Sequence, residues 1–134
     1  MLYVQPVKLE FSDRYEGWLE APNGKIRLGE TEGGFLPYNM VLGSLGACFY
    51  MTFLSIVEKK RLTFSGASLE ITGKKREEVP QTLESVHIQM QIRGASDQKQ
   101  FLRSVELGAK YCSVHETISK VADIKIDVEF LDQK

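Results

Sequence analysis

From Gly33 to Val57 the chain carries no charged residue, and no other feature narrows its fold as much. Charged residues make up 26% of the chain, so an uncharged run of this length has to be sheltered from water. Two arrangements do that: a membrane span, or a helix packed in protein. Pro37 suits a helix start, because its missing N–H costs nothing in the first turn. Met40 to Lys60 contains no proline and is long enough for about five to six turns at 3.6 residues each. Val41, Leu45, Cys48, Thr52 and Ile56 share one face, and Leu42, Phe49, Phe53 and Val57 another. The helix is therefore apolar nearly all round. Glu58-Lys59-Lys60-Arg61 ends it in water, with cations that complement the carboxyl end of the helix dipole.

Polar residues inside the run (Tyr38, Asn39, Ser44, Thr52 and Ser55) and amphipathic flanks favour burial in protein over a membrane span. Gly43, Ser44, Gly46 and Ala47 would let another backbone pass close by. A helix buried on every side is hard to cover with the strands of one chain of 134 residues. That points to a homodimer in which two such helices pack together. Apolar residues make up 43% of the chain, the level of an ordinary soluble protein. The length fits a single domain spanning residues 1–134. A net charge of −1 gives no electrostatic reason to expect nucleic acid or anionic lipid as a partner. The N-terminal stretch MLYVQPVKLE lacks the basic start and apolar core of a secretory signal. Two cysteines without such a signal suggest a reducing, cytoplasmic setting and no permanent disulfide framework, with a transient disulfide still open.

The flanks read as short elements. Val7, Leu9 and Phe11 alternate with polar residues, as in a strand with one buried face. Tyr15–Glu20 and Gly24–Glu30 form two further strands around the Pro22-Asn23-Gly24 turn. After the central helix, residues 67–74 and 86–93 alternate as strands. Ser96 or Asp97, with Gln100 three residues after Asp97, caps a helix that places Phe101, Val105, Gly108 and Cys112 on one face. Ser113-Val114-His115-Glu116 fits a second capping box, opening a short helix that buries Val114, Ile118 and Val121. Ile124, Ile126, Val128 and Phe130 alternate as a closing strand. Strands then helix, strands then helices, then strand is the order of an α+β domain.

Two thiols are the main candidates for chemistry. Cys112 stands just before the short helix, whose free N–H groups should favour a thiolate there. Cys48 gains less from its own helix and needs partners the sequence does not show. Both also fit the role of small buried apolar residues. A metal site built from Cys48, His87, Cys112 and His115 lacks any paired ligand spacing, so no metal is expected. No phosphate-binding glycine loop suggests a cofactor. Gly43-Ser44-Leu45-Gly46 is not the nucleophile elbow of a hydrolase. His87 reads as a surface strand residue. Arg27 shares a strand face with Lys25; if it reaches a thiol, it lowers the thiol pKa and polarises an oxygen substrate.

Pro37-Tyr38-Asn39-Met40-Val41-Leu42-Gly43-Ser44-Leu45-Gly46-Ala47-Cys48 resembles the helix motif of the OsmC/Ohr family, roughly P-x-E-L-L-L-A-A-L-G-A-C. Tyr111-Cys112-Ser113-Val114-His115 resembles its second motif, C-P-V-[SH], at a separation that suits the family. Arg27 matches the place of an arginine in the OsmC branch. The resemblance implies antiparallel sheets wrapped around long central helices in an intertwined homodimer. It also implies a thiol peroxidase for organic hydroperoxides. In that scheme Cys48 becomes a sulfenic acid, Cys112 closes a disulfide, an external dithiol reduces it, and Arg27 holds thiolate and peroxide. The chain departs from the pattern in both motifs. Tyr38 and Asn39 stand where many members carry a glutamate, and Ser113 stands where they carry proline. These departures keep a second expectation open: a non-catalytic or small-molecule-binding dimer of the same fold.

Overall fold

The computed structural model describes residues 2–132. Its order is three strands, a long helix, two strands, two helices and a last strand. The Cα positions group the chain into two compact units, Met1–Val41 and Leu42–Lys134. Each unit holds one three-stranded sheet.

In the first unit β1 (Lys8–Phe11), β2 (Gly17–Ala21) and β3 (Gly24–Leu28) form an antiparallel meander. Ala21 pairs with Gly24 across the Pro22-Asn23 turn, where proline's fixed φ suits the first turn position. One face of this sheet collects Leu9, Phe11, Leu19, Ile26 and Leu28. Leu28 is buried, but Leu9 and Phe11 remain nearly half exposed and Val7 more so. The expected buried face of β1 is thus only partly covered, because a small sheet cannot cover both of its own faces.

The long helix α1 runs from Pro37 to Lys59. Its start is fixed by Asn39, whose side-chain oxygen accepts the Leu36 N–H at 2.9 Å. This is the half of a capping box that reaches back from the third helical residue. Its end is a Schellman turn. The Leu62 N–H donates to the Val57 carbonyl, the Arg61 N–H donates to the Glu58 carbonyl, and Arg61 takes φ 58°. Leu62 then packs against the cluster that contains Val57, the apolar contact that accompanies this motif.

The second unit adds β4 (Gly66–Lys75), β5 (Leu83–Arg93), α2 (Gln98–Tyr111), α3 (Ser113–Ser119) and β6 (Asp123–Leu131). β4 and β5 pair antiparallel, whereas β5 and β6 pair parallel. Antiparallel pairing throughout was the expectation; the second sheet is mixed because α2 and α3 form a crossover between β5 and β6, which returns the chain in the same direction. Asp97 caps α2 as its spacing to Gln100 predicts, accepting the Gln100 N–H at 3.1 Å.

The core lies between this sheet and the helices. Phe49, Phe53 and Val57 of α1 meet Met90 and Ile92 of β5, and Phe101, Val105 and Cys112 from the α2 side. The Phe53 ring lies 6.0 Å from both Phe64 and Phe101. Gly108 permits this packing, since a Cβ there would come within 3.2–3.3 Å of Phe53 and Phe49. Gly46 does the same against Ile71 of β4.

The helix is not buried on every side. Leu45, Gly46, Phe49, Phe53 and Val57 are buried, while Gly43, Ser44, Ala47, Met51 and Ser55 are exposed. By length and hydropathy α1 could cross a membrane, yet its largest apolar residues pack into this core.

Candidate functional site

Two bends in the chain bring the cysteines together. α2 ends at Tyr111 and α3 begins at Ser113, so Cys112 is at once the C-cap of one helix and the N-cap of the next. Its sulfur accepts the His115 N–H at 3.4 Å, and its carbonyl accepts the Glu116 N–H at 3.0 Å. The expected capping box does not form, because the cysteine takes the cap. Ser113 becomes the first helical residue, and the Glu116 carboxylate pairs with Lys120 at 2.9 Å. That pair holds the Glu116 carboxyl below its usual range. Of the residues expected to be buried by α3, Ile118 is buried and Val114 partly so, but Val121 is exposed. Val121 already lies beyond the last turn of the helix.

Cys48 approaches this corner from α1. Its sulfur lies 3.9 Å from the Ser113 hydroxyl. Cys48 and Cys112 are both free thiols, Cys48 partly exposed and Cys112 buried, and each thiol contributes to the electrostatics of the other.

The electrostatics then reverse one sequence expectation. Burial alone would push the Cys48 thiol up. The Val114 N–H, the Cys112 thiol and the hydroxyl and N–H of Ser113 outweigh it, and the net pKa falls below the usual 9.0. Burial pushes Cys112 up instead. The His115 N–H opposes this, but a negative Cys48 alongside adds to it, and the net is above the usual value. Thus the N–H groups of α3 favour a thiolate on both cysteines, but they prevail only at Cys48, because burial outweighs them at Cys112. The cause is geometric. A cap side chain folds back over the first turn and is covered by the core, whereas Cys48 meets the N–H groups from outside the turn.

The arrangement can therefore present one thiolate and one protonated thiol at the same helix start. An ionised sulfur is the nucleophile, and a neighbouring thiol is the group that closes a disulfide once that sulfur is oxidised.

Arg27 is in the first unit, where its guanidinium donates to the Glu32 carbonyl at 3.1 Å and to the Thr31 hydroxyl at 3.5 Å. Both are neutral acceptors. Lys25, on the same strand face, sits over the Trp18 ring at 4.5 Å. Asn39, which with Tyr38 stands at the glutamate's place in the helix motif, is occupied by the Leu36 N–H. His87 is half-exposed on β5, 2.7 Å from the Asp127 carboxylate. Burial lowers the His115 pKa, so its imidazole is neutral at pH 7. Among the described residues no three His, Cys, Asp or Glu side chains cluster as a metal site would require. Sequence reasoning treated Ser113 as a cap and as a missing proline. The available signal for its contact with Cys48 was its place directly after the second cysteine, with an N–H and a hydroxyl that proline lacks.

Comparison with known proteins gives a consistent pattern. A family model described as OsmC-like protein matches residues 29–127. Protein YhfA of Escherichia coli K12 is 30% identical over 90 residues, covering 66% of this chain and 67% of YhfA. A hypothetical protein from Aquifex aeolicus VF5 has a crystal structure that superposes with a TM-score of 0.88 at 28% identity, over 99% of this chain and 100% of the other. A Legionella pneumophila structure described as the organic hydroperoxide resistance protein OsmC gives a TM-score of 0.75 at 17% identity, over 96% of this chain and 98% of the other. At that identity the likeness is one of fold.

Proposed function

Because the chain belongs to the OsmC-like protein family, we propose that it is a cytoplasmic thiol peroxidase that reduces organic hydroperoxides. The observation that carries this reading is two thiols at the start of one helix with opposite perturbations: Cys48, whose sulfur lies 3.9 Å from the Ser113 hydroxyl, is lowered, and Cys112, which accepts the His115 N–H, is raised. A peroxidatic cysteine needs an ionised sulfur, and its resolving partner needs only to be near and to hold its proton until called on.

The reaction runs in three steps. The Cys48 thiolate attacks the distal oxygen of the hydroperoxide. The O–O bond breaks, the sulfur is oxidised to a sulfenic acid, and the alkoxide leaves and takes up a proton as the alcohol. Cys112 then attacks the Cys48 sulfur, forming the Cys48–Cys112 disulfide and releasing water. An external dithiol reduces this disulfide by exchange and restores both thiols. No metal or organic cofactor enters these steps.

Arg27 belongs to the proposal as the cation that holds thiolate and peroxide. Its two contacts are with neutral oxygens, so no carboxylate in those contacts neutralises it. We assign both units to one OsmC-like domain acting as a homodimer. Supporting this, α1 exposes Gly43, Ser44, Ala47 and Met51, and β1 exposes Leu9 and Phe11. Apolar and small surfaces of that kind are what a second copy covers.

Steady-state turnover of cumene hydroperoxide with a dithiol reductant tests the reading. Wild type should turn over, and Cys48→Ser should be inactive. Cys112→Ser should complete a single turnover and stop, and Arg27→Ala should lose most of kcat/KM. A rate no faster than free thiols for wild type would instead favour the non-catalytic, ligand-binding dimer.

A further inference from the structure

We propose that Ser113 is a thiolate-directing residue of this site, with its hydroxyl serving as a hydrogen-bond donor to the Cys48 sulfur. The inference rests on Cys48 being the reacting thiol. The geometry is direct: the Ser113 oxygen lies 3.9 Å from the Cys48 sulfur. Among the described residues, the Ser113 hydroxyl has no other partner.

Its place in the fold frees the hydroxyl for this use. A serine beside a helix start usually spends its hydroxyl on the cap. Here Cys112 is the cap and accepts the His115 N–H, so Ser113 enters α3 as the first helical residue with its side chain uncommitted to the backbone. The Ser113 carbonyl is used by the Thr117 hydroxyl at 3.0 Å, and that bond does not compete with the oxygen facing Cys48.

The choice of residue matters chemically. A proline at this position would supply neither a hydroxyl nor an N–H. Serine supplies both, and both act to lower the Cys48 pKa. An ionised sulfur gains more from a donor than a neutral one does, so the contact favours the thiolate. In the second unit, the groups that face the Cys48 sulfur are the Cys112 thiol, the Ser113 hydroxyl and the N–H groups of Ser113 and Val114. Asn39, meanwhile, carries no charge and is spent on the helix start. Ser113 therefore adds a stabilising donor to a site whose motif lacks its carboxylate.

The test is the pH dependence of iodoacetamide alkylation at Cys48, followed peptide by peptide in reduced full-length protein. Ser113→Ala should shift the Cys48 midpoint upward and slow alkylation at pH 7 by about three- to tenfold. Ser113→Thr, which keeps the hydroxyl, should stay close to wild type. Ser113→Pro, which removes hydroxyl and N–H and is tolerated at a first helical position, should shift the midpoint at least as far as alanine. Midpoints in the alanine and proline variants that coincide with wild type would overturn the inference. A parallel cumene hydroperoxide assay separates it from the peroxidase reading. A shifted midpoint in proteins that all ignore the peroxide upholds the role of Ser113 and removes the peroxidase. Rapid peroxide reduction with an unmoved midpoint does the reverse.

Discussion

Cys48 and Cys112 share the first turn of one short helix, and burial sets their net shifts in opposite directions. Cys112 caps α3 with its sulfur and is sealed into the core. Cys48 reaches the same turn from α1 and collects its N–H groups without being sealed. A lowered pKa means a larger thiolate fraction at pH 7, and a raised one means a smaller fraction. Alkylating the native protein near pH 7 should therefore label Cys48 first. Labelling of Cys112 should lag by at least about tenfold and catch up only on unfolding. Peptide mass spectrometry reads the order, and earlier labelling of Cys112 would reverse the assignment of nucleophile and partner.

Asn39 has a structural task that its position in the motif hides. It accepts the Leu36 N–H at the start of α1. Asn39→Ala should cost about 1 kcal/mol, the usual value of a lost helix-capping contact. Asn39→Glu should hold stability near wild type, because a glutamate at the third helical residue can accept the same N–H and also complements the helix dipole. Chemical denaturation of the two variants decides this. Equal losses in both would mean that the Leu36 contact contributes nothing.

Arg61 closes α1 in the left-handed region, at φ 58°. Side chains other than glycine are strained there, and glycine is the usual residue at this place in a Schellman turn. Arg61→Gly should stabilise the fold by about 0.5–1 kcal/mol, with the gain in the native turn reduced by glycine's greater freedom in the unfolded chain. Thermal unfolding should show a Tm raised by a few degrees. A lowered Tm would mean that the arginine side chain contributes more than the strain costs.

Much of this architecture is legible in the sequence. Pro37, the uncharged run and the Glu58–Arg61 cluster bound α1, and strict alternation marks β5 and β6. Asp97 with Gln100 marks the start of α2. The remainder depends on contacts between distant residues. Nothing local distinguishes a parallel β5–β6 pair from an antiparallel one. The left-handed Arg61 breaks the preference for glycine that a reader would look for. Ser113-x-x-Glu116 has the spacing of a capping box, but the preceding cysteine takes the cap and releases the serine toward Cys48. Cys48 itself sits in an uncharged run with no charged neighbour in sequence to tune it. Its donors come from residues beyond 110, and the burial that outweighs the helix end at Cys112 is equally invisible in the sequence.

The central claim is that Cys48 reacts and Cys112 resolves, and the mass of the oxidised protein tests it most directly. Reduced protein is mixed with one equivalent of cumene hydroperoxide, quenched, and examined intact and after digestion. Wild type should lose the mass of two hydrogen atoms and yield a peptide pair joined through Cys48 and Cys112. Cys112→Ser should instead gain one oxygen, trapped on Cys48. An unchanged mass, or oxygen added at Cys112 with Cys48 untouched, would contradict the account.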